Sequence, residues 1–501
     1  MSTAGGDTFK ILLDCVEKGH NRNNDNLPSI FRVPSTLRDI SPGSFEPRFV
    51  SIGPLHSKHE NAQQSSGLKE SYLHDLFHSF DFSDSMRGQA LKECMEMVNT
   101  SIDQIKASYS GMKNPVSDDE LAKMMVLDGC FILEFCFKHF KDYNKYLPNK
   151  MQNVCVAIDL ILVENQIPFF VLQHLFDCTL KKHVTISLAK MLYTVLATYL
   201  HPFYYPIPET DSVPDVATYD HILGLFHRCY GLPQTNPSDE IKPLEHSATE
   251  PLNETETPVH SAIDLNTSSG QNKNFPMTVQ FKRCLFACFS FLGKLLQTEP
   301  SYKTEPPIHS VLDLESSGVK IMPHQNIAFP MTIQFKPSWF SWFPFYWGKP
   351  TLLLPQLVID DHSEPVLRNF IAYEQCVPQV HYHFTSYAYT MSTLVYSEED
   401  VSTLMESKVI IYRLGSNEEA ANLINRLCRN TSLVDFCYTQ QFRDLDNYYS
   451  GYWPQLFALL NYARIKRTYF RSPWNAIGLI AGIILFFLTV VQTYFTIWQP
   501  K

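Results

Sequence analysis

The stretch that most constrains this chain is W-N-A-I-G-L-I-A-G-I-I-L-F-F-L-T-V-V-Q-T-Y-F-T-I-W, Trp474 to Trp498, which carries no charged residue. At about 1.5 Å rise per residue, such a helix crosses a hydrocarbon core of roughly 30 Å. Lipid offers no hydrogen bonds, and one helix satisfies all of its own backbone groups. Trp474 and Trp498 stand at the two ends, where indole rings favour the headgroup zone. A buried core helix is the competing reading, but core helices are shorter and amphipathic.

The flanks set an orientation. Arg464, Lys466, Arg467 and Arg471 precede the stretch and only Lys501 follows it. Positive residues stay on the cytoplasmic side, so residues 1–471 are expected in the cytosol. The opening M-S-T-A-G-G-D-T-F-K lacks the apolar core of a signal peptide. The expected topology is therefore tail-anchored and single-pass, in the plasma membrane or the endoplasmic reticulum. The sequons at Asn99, Asn253, Asn266 and Asn430 would then carry no glycan.

A formal net charge of −10, with no basic block outside the membrane flank, argues against nucleic acid as a partner. The 12 cysteines form no C-x-x-C pair. Cys130, Cys136, Cys155 and Cys376 sit in apolar runs, as small buried hydrophobes of a reducing compartment do.

Residues 1–28 are expected to be a flexible start. From Ile30 to His56 the chain is studded with apolar residues but interrupted by Pro34, Pro42, Pro47 and Pro54. Proline at that spacing forbids a long helix, so an extended ribbon across the core is expected. Helical patterning follows from Gly67 to about Ser108. Ser117-Asp-Asp-Glu120 reads as a capping box, opening an apolar helix over Leu121–Phe137 that should be central. A second apolar run, Val154–Leu172, contains Asp159 and ends in Glu164-Asn165-Gln166 just before Pro168, which should stop or kink it. Residues 233–257 are acidic, proline-rich and poor in apolar residues, the composition of a disordered linker.

A duplication follows. Pro258–Leu265 recurs as Pro307–Leu314, and F-P-M-T-V-Q-F-K (275–282) recurs as F-P-M-T-I-Q-F-K (329–336). The alternation M-T-I-Q-F predicts a half-buried strand, and Thr351–Asp360 could pair with it. The unit reads as a hairpin, with 258–306 as the spare copy. Each copy carries an apolar tip too short to span a bilayer. In the second it holds Trp339, Trp342, Phe343, Phe345 and Trp347, suited to burial, a membrane interface or a partner's groove. Beyond Ser363 helices resume. Leu367, Phe370, Ile371 and Glu374 share one face, and Phe384, Tyr387, Ala388, Met391, Leu394 and Val395 share another. Ser416–Glu419 reads as a further capping box, and a last cytosolic helix is expected over Tyr452–Tyr469.

Several stretches together resemble the plant family known as domain of unknown function 247: I-F-R-V-P (30–34), F-E-P-R-F-V-S-I-G-P-L-H (45–56), M-V-L-D-G-C-F-I-L-E (125–134), V-E-N-Q-I-P-F-F-V-L (163–172), L-R-N-F-I-A-Y-E-Q-C (367–376) and Y-F-R-S-P-W (469–474). The resemblance implies a largely helical domain with a terminal membrane helix, and no known reaction. Some members in grasses are associated with pollen–stigma self-incompatibility, which implies recognition or signalling.

Acids and amides inside apolar runs are the remaining polar signal: Asp128, Glu164, Asn165, Gln166, Glu374 and Gln375. Unpaired buried carboxylates are costly, so a structural network is expected, with Arg32, Arg38 and Arg368 as counter-charges. His56, His59 and Glu60 read as a surface loop lacking a third metal ligand. His362, His381 and His383 are equally weak candidates, and Cys376 has no evident base. No nucleophile elbow, zinc-binding helix or phosphate loop is present, and no cofactor is expected.

The expected fold is mainly α (α+β): a helical bundle, residues 29–232 and 363–471, with a small antiparallel β insertion (307–362) and a transmembrane helix (472–498). The expected function is a non-enzymatic interaction or recognition module at a lipid bilayer, with an unidentified protein partner. The alternative is a membrane-bound hydrolase-type enzyme using Asp128 or Glu164.

Overall fold

The computed structural model describes residues 28–58, 63–79, 84–111, 116–141, 150–200, 219–231, 309–324, 330–337, 349–413 and 415–451, with isolated positions at 13 and between 454 and 493. The first copy of the duplication, the aromatic tip with Trp339, Trp342, Phe343, Phe345 and Trp347, all of the helix expected over Tyr452–Tyr469 except Pro454 and Gln455, and both Trp474 and Trp498 lie outside these residues.

The described chain is mainly helical. Helices α1 (Ser66–His78), α2 (Asp84–Thr100), α3 (Ile102–Ala107), α4 (Asp118–Lys141), α5 (Lys150–Asp159), α6 (Phe169–Thr179), α7 (Leu188–Ala197) and α8 (Ile222–Tyr230) build the N-terminal half. Helix α4 is central, as its all-round apolar character demands: it packs on α1, α2, α6 and α7. Its first turn carries Asp118, Asp119 and Glu120 at the positive end of the helix dipole. Ser117 accepts from the Glu120 N–H at 3.3 Å.

The second apolar run is not one helix to Pro168. Helix α5 ends at Asp159, and Leu160–Ile167 form tight irregular turns. The reason is tertiary. Asn165 Nδ2 donates to the Asp159 carbonyl (2.9 Å), and Gln166 Nε2 donates to the carbonyls of Leu160 (2.7 Å) and Leu162 (2.9 Å). Side chains thus satisfy groups that a helix would otherwise pair. Pro168 becomes the N-cap of α6.

The C-terminal half comprises α9 (Val311–Ser316), β1 (Lys320–Pro323), β2 (Gln334–Lys336), β3 (Thr351–Leu354), β4 (Leu357–Ile359), α10 (Ser363–Cys376), α11 (His383–Leu394), α12 (Glu398–Glu406), β5 (Ile410–Tyr412), α13 (Asn417–Leu427) and α14 (Thr439–Tyr449). The sheet differs from the antiparallel expectation. Strand β2 does pair antiparallel with β3, Phe335 opposite Leu352, but β1 pairs parallel with β3, Ile321 also opposite Leu352. A second sheet joins β4 and β5 in parallel. The expected pairing of the M-T-I-Q-F segment with the Thr351 strand is thus present in the described copy, and β1 adds a parallel neighbour to it. The copy's P-I-H-S-V-L-D-L segment opens α9, where Ser310 and Asp313 form a full capping box.

One hydrophobic core runs through both halves. Across it lies the proline-broken ribbon, Ile30 to His56. It has only a single turn of helix at Ser35–Arg38 and a 3-10 turn at Pro42–Ser44, yet Ile30, Phe45, Val50 and Ile52 are fully buried.

Most of the stretch expected to cross a membrane, including 472–480 and 494–498, lies outside the described residues. Among the described residues no helix is long and apolar enough to cross a membrane. The scattered described residues between 481 and 493 are helical.

Candidate functional site: a buried ribbon clamped by carboxylates

An irregular backbone buried in a core must find hydrogen-bond partners without the help of a ladder. The ribbon finds them in side chains from other elements. Asp159, at the end of α5, accepts from three consecutive N–H groups: Arg48 to Oδ1 (2.8 Å), and Phe49 and Val50 to Oδ2 (2.7 and 2.8 Å). Asn165 continues the row. Its Oδ1 accepts from Ile52 N–H at 2.6 Å and its Nδ2 donates to the Val50 carbonyl at 3.0 Å. Asp128 of α4 accepts from Gly53 N–H at 2.8 Å. Gly53 has φ +69°, and a Cβ there would stand 2.6 Å from the Gln166 carbonyl oxygen, so only glycine fits. Asn369 of α10 donates to the Ser44 carbonyl (2.7 Å) and accepts from Val163 N–H (2.9 Å).

The counter-charges differ from the expected arginines in part. Asp128 pairs with Lys69 of α1, whose Nζ also donates to the Ser51 carbonyl, each at 2.5 Å. Glu164 accepts from Val33 N–H (2.5 Å) and from Arg38, and stands 3.2 Å from His56 Nε2. Arg32 is farther, 4.0 Å from Glu164, and donates to the carbonyls of Leu55 and Gly111. Arg368 pairs with Glu364 one turn away. His56 is buried rather than on a surface loop, because the ribbon turns it inward to Glu164.

Burial pushes Asp128 above the ordinary carboxylate range against the pull of Lys69 and the Gly53 N–H. Burial likewise raises Asp159 to about 6, although three N–H groups oppose it. Glu164 is the exception. Burial would raise it too, but His56, Arg38 and the Val33 N–H together hold it below the usual value.

A second carboxylate caps a helix. Glu374 of α10 accepts from the N–H groups of Phe384 (2.8 Å) and Thr385 (2.7 Å) at the start of α11 and from the Thr385 hydroxyl (2.6 Å), and pairs with His227 Nε2 at 2.8 Å. Negative charge there meets the dipole of α11. Gln375 exchanges both its amide groups with the backbone of Ser432 (3.0 and 2.8 Å).

Asp128 and Glu164 are each 1% exposed, so neither meets a substrate from solvent. Burial pushes the Cys376 thiol up to about 11, with the Glu164 charge adding to it, and a protonated thiol is a weak nucleophile. No group of three metal-ligating side chains occurs among the described residues. His362 lies 3.5 Å from Arg48, and His381 and His383 stack on each other. What this arrangement does chemically is hold backbone.

Asp128, Glu164, Asn165, Asn369 and Glu374 fall within the stretches that carry the resemblance, whereas Asp159 and Lys69 lie outside them. A family of plant proteins of unknown function, DUF247, matches residues 30–488. The chain belongs to this family. DUF247 therefore spans both the ribbon and its clamps. Two curated relatives in Arabidopsis thaliana are similar over nearly the whole chain. The UPF0481 protein At3g47200 is 26% identical, over 93% of this chain and 85% of its own length. At3g02645, of the same UPF0481 description, is 24% identical, over 93% and 89%. No solved structure matches the chain.

Sequence reasoning missed Lys69, His56, His227 and Asp159's role as a triple acceptor. Lys69 sits in the polar run S-G-L-K-E-S-Y, where a lysine ordinarily faces solvent. Asp159 was visible as an acid in an apolar run, but nothing nearby marks residues 48–50 as its donors.

Proposed function

We propose that this DUF247 chain is a non-enzymatic interaction module held at a lipid bilayer by its C-terminal apolar stretch, with the folded body presented to a protein partner in the cytosol. The observation that carries the reading lies in the described turns between 481 and 493. Leu485, Phe487 and Leu488 are each about 60% exposed (64%, 59% and 59%), on a charge-free helical segment. Large apolar side chains exposed on a charge-free helix are at home in lipid, not water. The Thr489 and Thr493 hydroxyls bond back to carbonyls one turn earlier, at 2.8 and 2.7 Å, which is how hydroxyls are accommodated in an apolar medium. The burial of Asp128 and Glu164 supports a structural use of the chain's conspicuous acids rather than a hydrolytic one.

The test is fractionation of the full chain beside a chain lacking residues 472–501. The full chain should stay in the membrane pellet after an alkaline carbonate wash, and the shortened one should move to the supernatant. Release of both by carbonate, or retention of both, would overturn the anchor. Proximity labelling from the anchored body should then recover a protein neighbour whose yield falls when Trp342 and Trp347 are changed to Ser.

A further inference from the structure

A cavity of about 230 Å³ opens where the ribbon, α1, α4 and α5 meet. Its apolar wall is built by Leu68, Tyr72, Phe131, Phe135 and Val156. The aromatic members are already ordered against one another. The Tyr72 and Phe131 ring centroids are 5.0 Å apart at 46°, and those of Phe131 and Phe135 are 6.3 Å apart at 25°. A further flat ring laid on this wall would extend the series with the offset contacts that aromatic faces favour.

The polar edge has a different character. Arg48 lies at the exposed rim. Its backbone N–H is taken by Asp159, but its guanidinium stands 3.5 Å from His362 Nδ1 and, among the described residues, forms no salt bridge with a carboxylate. Asn153 is 8% exposed, lines the cavity and hydrogen-bonds the His139 ring through its amide, while its Nδ2 donates to no acceptor among the described residues. A buried donor without an acceptor is uncommon in a folded protein. Here it faces a space large enough to hold one.

We propose that this cavity binds a small aromatic carboxylate, its ring against Tyr72 and Phe131 and its carboxylate between Arg48 and Asn153. Volume limits the ring system. An apolar cavity of about 150 Å³ holds benzene, so this one has room for one ring or two fused rings with a short acidic arm. The planar guanidinium fork matches a carboxylate better than a single-atom anion. The site is independent of the membrane anchor.

The experiment uses the full chain in lipid nanodiscs, with empty nanodiscs as the reference, titrated calorimetrically with 1-naphthoate and with its neutral analogue 1-naphthamide. One saturable site per chain is expected for naphthoate, with binding about tenfold weaker or more for the amide. Arg48→Gln should weaken naphthoate by a similar factor, and Arg48→Lys should restore part of it. Asn153→Leu should weaken it several-fold. Thermal melting of each variant checks that it is folded; the Arg48 side chain is exposed, so its variants keep the test decisive should Asn153→Leu fail to fold. Absence of saturable binding, or equal affinity for naphthoate, naphthamide and the Arg48→Gln protein, would overturn the proposal.

Discussion

Lys69 and Asp128 form an ion pair closed off from solvent, Nζ and Oδ1 2.5 Å apart with the two side chains 8% and 2% exposed. Both partners also hold the ribbon, Lys69 at the Ser51 carbonyl and Asp128 at the Gly53 N–H. Removing one partner of a buried pair leaves the other charge stranded, which costs about 3–5 kcal/mol. Lys69→Met should therefore lower stability by that amount in urea unfolding. Adding Asp128→Asn, which keeps an acceptor for Gly53 without the charge, should recover part of the loss.

Gly53→Ala should cost more than about 2 kcal/mol. The positive φ alone disfavours an L side chain by about 1–2 kcal/mol, and the new methyl meets a backbone oxygen that has no room to yield. Gly43 has nothing within 4 Å of its virtual Cβ, so Gly43→Ala in the same ribbon should melt within a degree or two of wild type.

Glu134 of α4 is fully buried, and burial raises it to about 7 despite Lys138 nearby. A carboxyl whose folded pKa exceeds its unfolded value binds protons more tightly when folded. Its contribution is therefore greatest below the unfolded value and declines as pH rises through the folded one. Glu134→Gln should remove that decline. Relative to wild type it should gain on the order of 1–3 kcal/mol between pH 4.5 and 7.5, read from urea midpoints across pH.

His383 has the opposite sign. Burial, with His227 and His381 close by, lowers it to about 3, and its Nδ1 has no hydrogen-bond partner among the described residues. The unfolded chain takes up that proton first, so wild type should lose stability as pH falls below about 6.5. His383→Leu should flatten this acid limb by about 1 kcal/mol per pH unit near pH 5. An unchanged limb would mean that His383 is not among the groups responsible.

Asn430 bears on orientation. It lies at φ 58°, with its Nδ2 donating to the Thr36 carbonyl at 2.8 Å. A glycan on that nitrogen would compete with this contact. Enzymatic deglycosylation of the full chain from plant tissue should leave its mass unchanged; a shift would place the body on the other side of the membrane.

The acids that hold this fold were legible as residues out of keeping with their surroundings, whereas their partners were not. Asp128, Glu164 and Glu374 interrupt apolar runs, which marks them as buried. But the N–H groups they receive lie 75, 131 and 10 positions away, and no local pattern encodes such distances. The ribbon was readable as extended because proline excludes helix at four places. The break after Asp159 was not, since V-C-V-A-I-D-L-I-L-V contains neither glycine nor proline, and the turns are imposed by Asn165 and Gln166 from beyond it. The pairing of β1 with β3 was invisible for the same reason: parallel neighbours are joined by contacts remote in the chain. The rim of the cavity draws on Arg48 and Asn153, two unremarkable polar residues 105 positions apart by their numbering.

The ribbon also has a place in time. It leaves the ribosome well before its partners, since the Asn369 amide that donates to the Ser44 carbonyl is 325 residues downstream. At roughly 5–20 residues per second, translation must continue for on the order of tens of seconds before that clasp exists. Until then Ile30, Val33, Phe45, Val50 and Ile52 are greasy and unclaimed on the nascent chain. Newly made protein of this kind should therefore call on a chaperone that shields its beginning until its end has been synthesised, and prematurely terminated products should be the aggregating species in the cell.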